Sequence, residues 1–130
     1  MTRYEIFALY AGLFVLLFIA LKINSGRVRA SEKVNFGDGG NEEMQKAMRV
    51  QANAVEDVPI VLIGLLALTL LSAPTMLLHV IGGGFLVGRI LHALGLGSKT
   101  GTGLPRLLGT VITLLMMIAT AGACLWFALG

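Results

Sequence analysis

The chain has 130 residues, of which 56% are hydrophobic and 13% charged, with a formal net charge of +3 and a mean hydropathy of +0.86. Soluble domains carry roughly 45–50% apolar and about 25% charged residues, so this composition excludes an ordinary water-soluble fold and points to one small membrane domain. The basic residues flank hydrophobic runs instead of forming an aromatic-interleaved patch, which argues against a nucleic-acid partner, and a lone Cys124 can build neither a disulfide framework nor a cysteine-based metal site.

The apolar residues gather into runs that suit a hydrocarbon core about 30 Å thick, which takes about 20 helical residues to cross. The first predicted span covers residues 5–23; Arg3 is offset by Glu5 and no small-residue cleavage site follows, so it reads as a retained span and not a leader. The stretch from Asn24 to Asn41 is polar and rich in glycine, and is expected to form a loop, the one disordered segment of the chain. A second helix is predicted over residues 42–71, opening on Glu42 and Glu43, whose carboxylates suit the positive end of a helix dipole. Ser72, Ala73 and Pro74 predict a tight turn, because proline tends to end one helix and can open the next. The third helix is predicted over residues 75–96 and the fourth over 104–129, with Gly95, Gly97, Gly101, Gly103 and Pro105 around the connection between them. The fold class is therefore an all-α integral membrane protein, a four-transmembrane-helix bundle.

Charge placement predicts its orientation. Lys22, Arg27, Arg29, Lys33 and Lys46 belong to the first loop and its flanks, Lys99 and Arg106 flank the third, and the second connection has no Lys or Arg. The positive-inside rule then puts loops one and three in the cytoplasm and both termini, with Arg3, on the other side.

Along helix two, Glu42, Gln45, Arg49, Asn53 and Glu56 recur at spacings of three, four, four and three. At 100° per residue they lie within about 80° of one another and form one stripe, with Asp57 beside its deeper end. Charges at such depth cost about 2.5–3.5 kcal/mol each on insertion scales, so they are expected to face the bundle interior and find partners. A structural network that pins helices together would satisfy that demand, and so would a functional site. Arg89 and His92 stand one turn apart near the same end of helix three. Two arginines and an asparagine facing one cavity would receive a carboxylate-rich ligand through bidentate hydrogen bonds. His92 taken alone reads as structural, and His79 as an interfacial residue near the opposite face. Gly82, Gly83, Gly84 and Gly88 read as a face for close helix packing.

The run Glu43-Met-Gln-Lys-Ala-Met-Arg49-Val-Gln51-Ala-Asn53-Ala-Val-Glu56-Asp-Val-Pro59 resembles the signature of the MAPEG family, the membrane-associated proteins in eicosanoid and glutathione metabolism. Chain length, four spans, a long first loop and Arg89 followed by His92 resemble the same family over essentially the whole chain. The resemblance implies a homotrimer in the lipid bilayer, of bacterial type and so in the inner membrane, that binds glutathione as co-substrate between neighbouring subunits near the cytoplasmic face. It implies that Arg49, Asn53 and Glu56 hold the peptide, with Arg49 on a carboxylate and Glu56 toward the ammonium, and that Arg89 and His92 join them. It implies a catalytic arginine for the thiolate, Arg106 first and Arg27 second, because a thiol with a reference pKa near 8.5 needs a nearby cation to ionise at neutral pH. The chain departs from studied members at Asp57, His92 and Leu96, where those carry tyrosines. The implied activity is that of a glutathione transferase or peroxidase on lipophilic small molecules. The alternatives are a small membrane transporter, which would use the intramembrane carboxylate, and a scaffold that keeps the fold without the chemistry.

Overall fold

The computed structural model describes residues 1–97 and 103–130, all-helical apart from turns and caps. Its helices are α1 (Arg3–Ser31), α2 (Glu42–Leu70), α3 (Thr75–Leu96) and α4 (Leu104–Leu129). All four are long and apolar enough to cross a membrane. Lys99, one of the residues used to predict orientation, lies outside the described residues.

Local chemistry sets the helix ends. Thr2 caps α1 by accepting from the Glu5 amide while Glu5 reaches back to the Thr2 amide at 2.7 Å, a reciprocal arrangement that satisfies two otherwise orphaned donors. Asn41 caps α2 by accepting from the Met44 amide at 2.9 Å. The turn after α2 is closed by Ser72 in a left-handed conformation (φ 60°). Arg3 Nε donates to the Ala73 carbonyl at 2.8 Å, tying the start of α1 to that turn.

The first helix is longer than the predicted 5–23, and the segment after it is ordered. At 1.5 Å per residue a 29-residue helix spans about 43 Å, so both α1 and α2 project beyond a hydrocarbon core at the end that carries their connection. Nothing prevents the backbone bonds of α1 from continuing in water, and Gly26 is tolerated there. Arg29 then donates to the carbonyls of Val34 (3.2 Å) and Gly37 (3.0 Å), Asp38 accepts from the Gly40 amide (2.9 Å), and Asn41 donates to Glu32 (2.8 Å). Val34 packs with Met44 and Ala47. The expected disordered loop is thus a short strapped connection, residues 32–41.

The core joins α1, α2 and α3. Ile6, Tyr10 and Phe14 meet Val58, Val61, Leu65 and Leu68 from α2 and Leu78, Ile81 and Phe85 from α3, with the Phe14 and Phe85 rings 5.5 Å apart. Tyr10 lies on Gly82, where its ring leaves no room for a side chain, and its hydroxyl reaches His79 Nδ1 at 3.0 Å. The fourth helix is peripheral: it packs on α3 and α2, and only Gly109, Thr113 and Thr120 are buried. Its approach to α3 is backbone to backbone. A Cβ at Gly109 would strike the His92 main chain, and one at Gly95 the Arg106 main chain, so glycine there permits the close contact that helix association in lipid depends on.

Candidate functional site

The rotational phase of α2 decides which polar residues enter the fold. Its buried line is Met44, Ala47, Val50, Ala54, Val58, Val61, Leu65 and Leu68. At 100° per residue the polar stripe centres roughly 140° away from that line. Arg49 and Glu56 are accordingly exposed on the outer surface of the bundle, and Asn53 is half-buried. The expectation that the stripe faces the interior of its own bundle is corrected here: the apolar face of α2 took the interior, and the stripe was left outward. Asp57 stands between the two faces and turns toward α3.

There Asp57 meets Arg89. Arg89 Nη1 donates to Asp57 Oδ2 at 2.9 Å, the arginine side chain being 3% exposed and the carboxylate 31%. The pair forms one wall of an open chamber of about 230 Å3 between α2, α3 and α4, whose other polar lining is Asn53, His92, Thr110 and Thr113. Three buried polar atoms in this small region lack any hydrogen-bond partner: Arg89 Nε, His92 Nδ1 and Thr113 Oγ1. Each such atom costs about 1–3 kcal/mol if nothing occupies its bonding position. All three belong to residues that line the chamber, and each atom is shielded from water in this packing. The threonines make the point internally. Thr110 and Thr120 donate to the carbonyls of Arg106 (2.9 Å) and Met116 (2.7 Å), one turn back, whereas the Thr113 hydroxyl is unspent.

The structure brings only part of the expected set together. Asn53, Arg89 and His92 share the chamber. Arg49 lies on a separate groove with Asp38, Gln45, Met48 and Ala52, beside the 32–41 connection. The Asn53 side-chain amide donates to the Arg49 carbonyl at 2.9 Å. Arg106 is half-buried at the start of α4, and its charge, with those of Arg89 and Asp57, acts on the His92 ring. Arg27 is exposed on α1, and α1 does not pack against α4, so the two candidate arginines for a thiolate are not neighbours within one chain. Sequence reasoning passed over Thr113 and gave Asp57 no role in the site. The repeat of Thr110, Thr113 and Thr120 on one side of α4 was the available signal for the first.

An apolar groove of about 430 Å3 continues along α2 and α4 from the chamber, sharing Met117 with it and lined by Ile60, Gly64, Ala67, Thr120 and Cys124.

Residues 7–126 match the MAPEG family. The chain belongs to the MAPEG family. Two relatives support that placement for this MAPEG chain. Inner membrane protein YecN of Escherichia coli (strain K12) is 39% identical over 88 residues, covering 68% of this chain and 67% of YecN. Uncharacterized protein sll1147 of Synechocystis sp. is 32% identical over 132 residues, covering 97% of this chain and 94% of that protein. No solved structure matches the chain.

Proposed function

We propose that this MAPEG chain is a glutathione-dependent transferase or peroxidase of the bacterial inner membrane, acting as a homotrimer on lipophilic electrophiles. The observation that carries the reading is the polar chamber with its Arg89–Asp57 pair beside Asn53 and His92, opening beside an apolar groove. A charged tripeptide would meet the polar side chains that line the chamber, and the groove suits an apolar co-substrate arriving from the bilayer.

Arg49 and Glu56 support the assembly. Both are exposed on a membrane-spanning helix of the single chain, Arg49 on the part of α2 that projects past the hydrocarbon and Glu56 within it, where lipid contact penalises a charge, though by less than the roughly 2.5–3.5 kcal/mol of the helix centre. A second copy over that face removes the cost and makes the site intersubunit. In this reading Arg49 takes a carboxylate of glutathione, Asn53 bridges polar groups, Glu56 faces the ammonium, and Arg89 and His92 complete the pocket. Arg106, with Arg27 as second candidate, stabilises the thiolate. Loops one and three lie on the cytoplasmic side. A cation transporter would need its acid open to the transported ion, and the hold of Arg89 on Asp57 weighs against that use.

The test is glutathione binding by the purified, detergent-solubilised protein, read by calorimetry with R49A as comparison. Saturable binding that R49A loses, on a protein that still assembles, supports the proposal. A stable assembly that binds no glutathione overturns it and leaves the scaffold reading.

A further inference from the structure

The two charged groups of the chamber differ in what they show a ligand. Arg89 engages Asp57 Oδ2 through Nη1 at 2.9 Å and is 3% exposed, whereas the carboxylate is 31% exposed. The face of the pair that lines the chamber is therefore mainly the acid. Asn53 lies one turn earlier on α2, and its amide nitrogen donates to the Arg49 carbonyl, which leaves its oxygen as an acceptor. Thr110, from α4, has given its proton to the Arg106 carbonyl, so its oxygen is left to accept as well. A lining of one carboxylate and further acceptors suits a positively charged group rich in donors. Resting on the reading that glutathione occupies this chamber, and departing from it at one residue, we propose that Asp57, with the Asn53 carbonyl oxygen, holds the glutathione ammonium in place of Glu56.

Geometry separates Asp57 from its sequence neighbour. Consecutive helical residues point about 100° apart. Asp57 turns toward α3 and lines the chamber, whereas Glu56 is exposed on the outer surface of the bundle and does not line it. Asn53 and Asp57 stand at i and i+4, where Cβ atoms are about 5–6 Å apart, so one ammonium placed between them can donate to both. A carboxylate has about four acceptor positions, and Arg89 Nη1 takes one of them. A second donor therefore joins the arginine without displacing it, and the arginine holds the carboxylate in position beforehand.

Charge agrees with the placement. Asp57 repels the carboxylates of glutathione and attracts its ammonium. The positive charge of Arg89 opposes the ammonium, but it lies behind the carboxylate, and Coulomb energy falls with distance. D57N keeps the shape and an oxygen for Arg89 Nη1 while removing the negative charge, so it separates recognition of the ammonium from the integrity of the chamber wall. It also leaves Arg89 freer to attract the ligand's carboxylates, an effect shared by any ligand that keeps them.

The experiment compares glutathione with its des-amino analogue, in which hydrogen replaces the ammonium group, by calorimetry on the assembled wild-type, D57N, E56Q and N53L proteins. Wild type is expected to prefer glutathione by about tenfold, the low end for a hydrogen bond to a charged group. D57N binds the two ligands about equally, while E56Q keeps the wild-type preference. N53L removes one acceptor at nearly constant volume, leaves the Asp57–Arg89 pair in place and weakens the preference several-fold; it decides the matter where D57N does not assemble. Equal affinities in wild type, or a full preference kept by D57N or N53L, overturn the assignment, and a preference lost in E56Q alone returns the ammonium to Glu56. Those results leave glutathione binding intact, whereas an assembled wild type that binds no glutathione overturns the functional reading and this inference together.

Discussion

Removing the carboxylate of Asp57 should expose how strongly the chamber depends on it. Breaking a fully buried ion pair from one side typically costs about 3–5 kcal/mol, because the other charge is left without a partner. Arg89 is 3% exposed, but Asp57 is 31% exposed, so part of that cost is screened and about 2–3 kcal/mol is expected for D57A. D57N keeps an oxygen that Arg89 Nη1 can still donate to and should cost less, about 1–2 kcal/mol. R89M removes the buried cation itself. D57A in the R89M background should then be nearly neutral, giving a coupling energy of about 2 kcal/mol in the double-mutant cycle. Reversible unfolding in mixed micelles, followed by helical circular dichroism across the four proteins, measures it. Additive effects, with coupling below about 0.5 kcal/mol, would mean that the 2.9 Å contact contributes nothing to the fold and that Arg89 is not held by Asp57.

Three further outcomes follow from other contacts. G109A places a methyl group against the His92 main chain, whereas G122A meets nothing within 4 Å. The first should destabilise by about 1–3 kcal/mol and the second by less than about 0.5, measured in the same unfolding assay. Y10F removes a hydroxyl bonded to His79 Nδ1 at 3.0 Å and should cost about 1 kcal/mol; a neutral result would show that the bond is exchanged for water. Reporter enzymes fused after Gly130 should be active only outside the cytoplasm, because Lys22, Arg27, Arg29, Lys33, Lys46 and Arg106 gather at the opposite end of the bundle; cytoplasmic activity would reverse the orientation.

Much of this was present in the chain before it folded. Long apolar runs can satisfy their backbone in lipid only as helices, and so α3 and α4 fall on the predicted residues 75–96 and 104–129. The Arg49–Asn53–Glu56 spacing was equally visible, as was the family. The end of α1 was not legible, because a polar, glycine-containing segment can be loop or helix. Side-chain contacts made across the connection, such as Arg29 to the carbonyls of Val34 and Gly37, decide between them.

The site divides the same way. Periodicity alone shows that polar residues share a face, but the direction of that face depends on which other face the core takes. On α2 the core took the line through Val50, Ala54 and Val58, which turned Arg49 and Glu56 outward and left Asp57 at the boundary, within reach of Arg89. The meeting of Asp57, Arg89, His92 and Thr113 joins residues from three helices and depends on how closely α4 approaches α3, set where Gly109 faces His92. Sequence therefore determined the membrane class, the spans and the family, because hydrophobicity and helical period act locally. Tertiary packing alone decided which charges are paired and which polar atoms are left without partners, because those depend on helix rotation and separation, which no single segment encodes.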